Sequence, residues 1–227
     1  MFQPHRSPMI VPSAPSTKEG AMSNVKGIVV QHIKRGMAGI PGTTTPIRVL
    51  VDGDRAVVHG EFQQDAVKKA VFCVMTLSGD RVLEARATVQ AQPAQTVSGR
   101  TMVDGPAEPE DLARTADNKE LVRGMIGEIL IGGNFDRITE YFSTAQLDQH
   151  NPMIGDGLAG LQAAMGELAR QGVTVKYDSL QFVVGEGSLV FAQSSGSFAG
   201  RAYVFCDLYR VTDGRIVEHW DVMAENA

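Results

Sequence analysis

The stretch that decides the fold is YVFCDLYRVTDGRIVEHWDVM, residues 203–223. Apolar and polar residues alternate on both sides of Asp213-Gly214, a dipeptide typical of a two-residue hairpin turn. Continuing the cross-strand pairs away from this turn places Asp207 opposite Trp220. The sequence therefore predicts an antiparallel hairpin over this stretch.

Because side chains alternate between two faces along a strand, this register divides the hairpin into two groups. One face is aromatic and carries an acid, and its members are Tyr203, Phe205, Asp207, Tyr209, Glu218, Trp220 and Val222. A carboxylate among aromatic rings loses hydration, which favours its protonated form and suits it to general acid/base catalysis. An Asp satisfied by neighbouring hydrogen-bond donors would instead have a structural role.

The opposite face of the hairpin carries Arg210, His219 and Asp221. We expect a charged cross-strand cluster or a subunit contact there. If the turn were longer than two residues, the register would shift and the two faces would be exchanged. Asp221 is therefore an alternative candidate for the acid.

Helices precede the strands in the segment before the hairpin. The spacing of apolar residues over 121–130 predicts an amphipathic helix that Asp117 caps and that Gly132-Gly133 ends. The remaining predicted elements are short helices at 135–142 and 160–169 and strands at 173–184, 189–198, 203–211 and 216–223. Helices followed by antiparallel strands indicate an α+β fold.

An internal repeat extends this pattern toward the N-terminus. Val71-Phe72-Cys73 matches Val204-Phe205-Cys206, and the segment 49–54 matches 182–187 at the same offset along the chain. The segment 81–84 matches 215–218 at an offset that is longer by a single position. The repeat predicts a truncated first copy that lacks the two leading helices and any counterpart of the sequence around His150. In this alignment Asp207 corresponds to Val74, Trp220 to Arg86 and Asp221 to Ala87.

The expected organisation has four parts. Residues 1–21 are rich in Pro and Ser and predict a disordered arm, and residues 92–115 contain a Pro/Gly/acidic linker. Residues 22–91 form the truncated half, and residues 116–227 form the complete domain. His32 falls within a helix of the first copy and is not a candidate site residue.

Composition excludes several functions. The 43% hydrophobic content supports a sizeable core, and 21 basic against 26 acidic residues, a net charge of −5, argues against a nucleic-acid partner. Neither a membrane helix nor a signal peptide is evident, so we expect a soluble, cytoplasmic protein. Cys73 and Cys206 lack metal-ligand spacing, and we expect no metal site.

Gln149-His150-Asn151-Pro152 follows the second predicted helix. A Pro forces the residue before it into an extended conformation, and an imidazole in such a loop can exchange protons near neutral pH. The alternative is a loop whose polar side chains only satisfy its own backbone.

Taken in order, these motifs resemble the SnoaL-like polyketide cyclases of the NTF2-like superfamily. The matching segments are QHNP at 149–152, DG at 156–157, GL at 160–161, DLYR at 207–210 and DGRIVEHWD at 213–221. The resemblance implies a cystatin-like cone, in which a curved antiparallel sheet and helices close an apolar pocket, in a protein that forms dimers sheet to sheet. It implies Asp207 as the acid/base and His150 as its partner, without metal or cofactor. Trp220, Tyr141 and Asn151 would shape the pocket, together with Tyr203 and Tyr209 of the aromatic face.

Three functions are compatible with these residues. The first is a cofactor-free cyclase, isomerase or lyase that moves a proton on a small apolar or carbonyl-containing ligand. The second is a non-catalytic ligand-binding or dimerisation module, and the third is a hydrolase that activates a water molecule. The truncated first copy would pack on the second as a built-in partner, or two chains would associate through their sheets.

Overall fold

The computed structural model describes residues 17–36 and 41–226. The N-terminal part consists of one helix and a four-stranded antiparallel sheet in the order β1-β2-β3-β4. These elements are α1 (Thr17–Lys34), β1 (Thr43–Asp52), β2 (Arg55–Gln64), β3 (Val67–Ser78) and β4 (Arg81–Ala91). The arm predicted to be disordered, residues 1–21, overlaps the first residues of α1, and its residues 1–16 lie outside the described residues.

The C-terminal part places its helices before its main strands. They are a 3-10 helix (Leu112–Arg114), α2 (Thr115–Met125) with a π-helical continuation (Ile126–Ile131), a second 3-10 helix (Phe135–Glu140) and α3 (Gly157–Arg170). Helix α2 begins two residues before the predicted cap, so Asp117 lies in its first turn, where a carboxylate opposes the helix dipole favourably.

A five-stranded sheet completes this part, in the order β5-β9-β8-β7-β6. Its strands are β5 (Asp148–Gln149), β6 (Val175–Glu186), β7 (Leu189–Phe198), β8 (Arg201–Thr212) and β9 (Arg215–Glu225). Strand β5 runs parallel to β9 and the other pairs are antiparallel. The predicted α+β fold, in which helices precede a sheet of mainly antiparallel strands, is confirmed.

The two sheets face each other across a shared apolar core. Phe72 and Val57 of the first sheet and Phe191 and Trp220 of the second belong to the same buried cluster. The segment between β4 and α2 is not a free spacer, because its Met102 is buried in this cluster. The remaining faces pack against helices in two further clusters, one beside α1 and one beside α2.

The hairpin of β8 and β9 turns through Asp213 and Gly214, both with positive φ (50° and 70°), as the sequence predicts. Beyond Val211 and Ile216, however, Val217 forms a β-bulge and shifts the register by one residue. A bulge inserts one unpaired residue, so every later side chain changes face. The predicted pairing of Asp207 with Trp220 is therefore wrong: Asp207 lies opposite Asp221.

The first sheet repeats these irregularities at a constant offset along the chain. The bulge at Leu83 in the hairpin of β3 and β4 corresponds to Val217, and the bulge at Ile47 in β1 corresponds, at the same offset, to Gln181 in β6. This single offset makes the pair of Cys73 and Ala87 equivalent to the pair of Asp207 and Asp221. The sequence alignment instead set Asp207 beside Val74, one position away from the residue that shares its place in the register.

In the described part of the chain, no helix combines the length and the apolar character needed to cross a membrane.

Candidate functional site

A cavity of about 200 Å³ lies between the helices and the free face of the five-stranded sheet. Its walls are mainly apolar, and representative members are Ile129, Ile138, Leu161, Leu168 and Phe205. The helices supply most of these walls because their apolar stripes face the sheet, and Phe205 belongs to β8. A cavity of this character fits a small, largely apolar molecule.

Seven polar side chains of the sheet and the β5 loop line the same cavity. Four come from the hairpin strands, one from β6 and two from the short β5 strand and its loop: Asp207, Tyr209, His219, Asp221, Tyr177, Gln149 and Asn151. The residues of β8 and β9 meet because they occupy alternate positions on two paired strands, with Asp207 opposite Asp221 and Tyr209 opposite His219. The bulge at Val217 is what turns His219 and Asp221 toward this face.

His219 links two of these groups. Its Nε2 lies 3.1 Å from Asp207 Oδ1, and its Nδ1 lies 3.0 Å from Gln149 Oε1. The ring stacks on Tyr209 with centroids 4.9 Å apart. Burial lowers the pKa of His219, but the hydrogen bond to Asp207 and the charges of Asp221 and Asp207 outweigh it, so the net direction is upward. The geometry suits an imidazolium that donates to both oxygens.

Asp221 is the most unusual carboxylate in the cavity. Asn151 Nδ2 donates a 2.8 Å hydrogen bond to its Oδ2, while its Oδ1 is buried with no hydrogen-bond partner among the described residues. Burial and the nearby charge of Asp207 raise the pKa of Asp221 to about 6, against the opposing effects of His219 and the Asn151 hydrogen bond. A carboxyl with this pKa can take up and release a proton near neutral pH.

Two tyrosines complete the polar set. The hydroxyl of Tyr177 lies 3.4 Å from both carboxylate oxygens of Asp207, at the long end of the hydrogen-bond range. Burial, and then the negative charge of Asp207, raises the pKa of both Tyr177 and Tyr209 well above the ordinary value. Both phenols therefore stay protonated and can act only as neutral donors or acceptors.

The predicted site residues divide into three groups by position. Asp207, Asn151 and Tyr209 line the cavity. Tyr203 stacks beside Phe205 with centroids 6.4 Å apart without lining the cavity, and Tyr141 instead donates a 2.6 Å hydrogen bond to Glu128.

His150 and Trp220 lie on the other side of the sheet, between the two halves of the chain. His150 Nε2 is 2.9 Å from Glu218 Oε1, and its ring stacks on Trp220 with centroids 4.7 Å apart. The predicted pairing of His150 with Asp207 in one cavity is therefore wrong. For Trp220 the cause is the bulge at Val217; for His150 it is the alternation of side chains between its neighbours Gln149 and Asn151.

Among the seven polar side chains, His219, Gln149 and Tyr177 are those that the sequence analysis missed, and Asp221 was only an alternative candidate. His219 and Asp221 were assigned to the opposite face because a bulge has no reliable signature in an apolar, β-branched segment such as Ile216-Val217. Gln149 was overlooked in favour of His150 beside it, although only one of two adjacent strand residues can face the cavity.

No cluster of three or more His, Cys, Asp or Glu residues within the described ranges is arranged to hold a metal ion. The polar set of the cavity contains two carboxylates and one imidazole, and the imidazole nitrogens already face Asp207 and Gln149. The chemistry that the residues themselves can perform is proton transfer.

No protein-family model and no curated protein matches this chain. Among solved structures, an LEH-like epoxide hydrolase of M. tuberculosis is similar at 19% identity, covering 48% of this chain and 84% of that chain with a TM-score of 0.38. A putative polyketide cyclase from Acidithiobacillus ferrooxidans is 14% identical, covering 47% and 87%, with a TM-score of 0.37.

An NTF-2 like protein of unknown function from Burkholderia xenovorans is 19% identical, covering 50% of this chain and 88% of that chain, with a TM-score of 0.39. The similarity falls on about half of the chain, the C-terminal half. At these identities and TM-scores, the similarity says nothing about the activity of this chain.

Proposed function

We propose that this chain is a cofactor-free enzyme that moves a proton on a small, largely apolar substrate bearing a carbonyl or hydroxyl group. The observation that carries the proposal is the carboxyl of Asp221, with one oxygen buried and unpartnered among the described residues and with a pKa raised to about 6. A polar atom left unpaired in a cavity wall is costly, so its placement is better explained by a ligand than by stability.

In the proposed reaction, the Asp221 carboxylate takes a proton from a carbon next to the substrate carbonyl. The electron pair of that C–H bond moves toward the carbonyl oxygen, which becomes an enolate oxygen and needs a hydrogen-bond donor. The neutral phenol of Tyr177, whose contacts with Asp207 are long, is the donor within the same cavity, and His219 stabilises the enolate charge at a distance when its ring is protonated. Return of the proton to another carbon gives isomerisation. Attack of the enolate carbon on a second carbonyl forms a C–C bond, and the oxygen of that carbonyl takes the proton from Asp221, which gives ring closure.

The walls define the substrate class. Apart from the polar set on the sheet, the cavity is lined mainly by aliphatic and aromatic side chains of the helices and strands. Phe135, Met153 and Met165 line it while remaining 37 to 52% exposed, so they lie toward solvent. An apolar body with one or two oxygen functions matches this distribution.

The test measures proton transfer without knowledge of the natural substrate. The protein is incubated in D₂O with a panel of small apolar ketones and diketones, and deuterium uptake at carbon is followed by ¹H NMR. Asp221→Asn keeps the shape of the side chain and removes the base, so we expect uptake to fall by about 10²- to 10⁴-fold. The matched control is Asp178→Asn, a half-exposed carboxylate of β6 outside the cavity, which should leave the rate unchanged.

Two results would redirect the assignment. Equal deuterium uptake in the wild type and in Asp221→Asn, with both binding the same ketones, would indicate a ligand-binding module. Conversion of apolar epoxides or esters that is lost in Asp221→Asn, without deuterium uptake from any ketone, would indicate a hydrolase in which the carboxylate activates water.

We also infer that residues 17–91 are a truncated copy of the C-terminal unit and act as its built-in partner. The shared bulges and their single common offset support a duplication, and the common core between the sheets supports packing within one chain. The covered sheet face would then be closed to a second chain. Light scattering should give the mass of one chain, 24.4 kDa. A dimer that dissociates on Phe72→Asp would instead assign this face to contact between chains.

A further inference from the structure

His150 sits between two residues of the candidate site without belonging to the cavity. Gln149 accepts a hydrogen bond from His219 in the imidazolium form, and Asn151 donates one to Asp221, so the residues on either side of His150 hold the two titrating groups. The backbone N–H of His150 also donates to the carbonyl of His219, at 2.9 Å. A displacement of His150 would therefore move both polar contacts together.

The side chain of His150 is anchored at both ring nitrogens. Nε2 lies 2.9 Å from Glu218 Oε1, and Nδ1 lies 2.7 Å from Asp104 Oδ1 and 2.8 Å from the carbonyl oxygen of Thr101. All three neighbours are acceptors, so the ring acts as a donor in this position. Only 1% of the side chain is exposed, whereas Asp104 is 48% exposed.

The segment 97–104 runs beside the loop that carries the site residues. Ser98 Oγ donates a 2.7 Å hydrogen bond to the carbonyl of Gln149, and the N–H of Val97 donates to the carbonyl of Pro152 at 3.1 Å. Arg100 forms ion pairs with Asp148, at 2.8 Å, and with Asp156. The loop 148–156 is thus fastened at several points to the stretch that precedes α2.

Arg48 of β1 fastens that same segment to the N-terminal half. Its guanidinium donates to three backbone carbonyls, those of Val103 at 3.1 Å, Asp104 at 2.5 Å and Pro106 at 3.0 Å. It also stacks over Trp220, with Cζ 4.0 Å from the ring centroid. Arg48 is fully buried, so these contacts, and not water, stabilise its charge.

We propose that His150 is a positioning residue through which the N-terminal half holds the site in its working geometry. The connection runs from Arg48 to the backbone of 103–106, through Asp104 and Thr101 to His150, and then to its neighbours Gln149 and Asn151. The inference rests on the proposed function only for its effect on turnover. The geometric part concerns how firmly the loop 148–151 is held, which is measurable without a substrate.

The experiment compares full-length variants by amide hydrogen exchange and by ¹H–¹³C NMR titration of the His219 ring, assigned with His219→Gln. In Asp104→Ala and His150→Leu we expect exchange of the Gln149 and His150 amides to rise about tenfold or more, while β7 amides are unchanged. We expect the His219 midpoint to fall by about half a pH unit or more as the Gln149 contact loosens. His150→Gln keeps an amide donor toward Glu218 and should restore part of both effects.

Matched controls remove the same residue types, Asp and His, from the N-terminal half, away from the segment 97–104 and the loop 148–156. The controls are Asp54→Ala and His32→Leu. Asp54 lies in the exposed turn between β1 and β2, and His32 lies on α1. Neither should alter exchange at 148–151 or the His219 titration. If His150→Leu does not fold, Asp104→Ala decides the question, because its half-exposed side chain can be removed with little loss of core packing.

The outcomes separate the two proposals. Unchanged exchange and an unchanged His219 midpoint in Asp104→Ala would overturn the positioning role, even if Asp221→Asn abolishes deuterium uptake. Altered exchange and titration in that variant, together with no catalysis by the wild type, would leave positioning in place and remove the enzyme. If both stand, Asp104→Ala should lower kcat more than it raises KM, because the loop orients the proton-transfer groups rather than the walls.

Discussion

The two sheets of this chain use the same strand registers for opposite purposes. In the N-terminal sheet, the side chains of Cys73, Met75, Ala85 and Ala87 face α1 and belong to the same core cluster as its Val29 and Ile33. In the C-terminal sheet, the equivalent positions hold Asp207, Tyr209, His219 and Asp221, and a cavity separates them from the helices. One backbone frame therefore supports either a solid core or a polar site, and four side chains with their covering helices make the difference.

The two sheets also differ in the pKa values of the groups at these positions. Burial raises the pKa of the Cys73 thiol to about 12, so this position is neutral and inert at physiological pH. Its counterpart, Asp207, contacts an imidazole whose pKa is shifted upward and faces a carboxyl whose pKa is about 6. In the described part of the chain, His219 and Asp221, whose pKa values are both raised, lie on the C-terminal sheet and line its cavity.

The largest effect is expected when three positions of the C-terminal sheet receive the residues of the N-terminal sheet. The triple variant Asp207→Cys, His219→Ala, Asp221→Ala should lose about 10²- to 10⁴-fold or more of the deuterium-uptake rate, because the three groups proposed to hold and move the proton are removed. Its free energy of unfolding at pH 7.5 should rise by about 1 kcal/mol or more, since unpaired polar groups are removed. Urea unfolding measures the second effect, and a large drop in stability would contradict it.

The reverse exchange tests whether the N-terminal core tolerates a site residue. Ala87→Asp places a carboxylate between β4 and α1, where the neighbours in the cluster are apolar. We expect a loss of about 2 to 4 kcal/mol in the free energy of unfolding. The control is Leu83→Asp, at a bulge position that is 59% exposed, which should change the same quantity by no more than about 0.5 kcal/mol. Equal effects of the two substitutions would show that the N-terminal sheet is not packed as described.

The smallest effect is expected in the dependence of the unfolding free energy on pH. The pKa of Asp221 is raised to about 6 in the folded protein, above its ordinary value of 3.8, so the native state holds this proton more tightly than the unfolded state. Stability from this group is therefore present below about pH 4 and is lost as the pH rises through 6, by about 3 kcal/mol at most. His219, whose pKa is also raised, acts in the same direction.

The measurement is the difference in unfolding free energy between the wild type and Asp221→Asn at pH 4 and at pH 7.5. Relative to the variant, the wild type should lose stability over this interval. A difference that is constant with pH, or one that grows in favour of the wild type, would show that the carboxyl is ionised in the folded state.

Several features of the fold could be predicted because they depend on local chemistry. Asp213-Gly214 supplies the positive φ angles of the hairpin turn, and the apolar spacing of 121–130 matches the buried stripe of α2 and its π-helical continuation. Asp207 was identified as a cavity residue for a partly wrong reason, because its predicted neighbour Trp220 lies across the sheet. His150 was misplaced because a motif gives the order of residues and not the side of a strand on which each one lies.

The amino-acid sequence by itself determined the α+β order, the turn residues, the strand pattern of both halves and the presence of an acid near aromatic rings, since these depend on neighbours a few residues apart. Tertiary structure alone decided which face of the hairpin became the site. A single unpaired residue at Val217 exchanged the two faces, placing Asp221 and His219 in the cavity and Trp220 in the core between the sheets. Side-chain direction alternates with every residue, so one unpredicted bulge assigns the side chains beyond it to the wrong face even when the strands and the turn are predicted correctly.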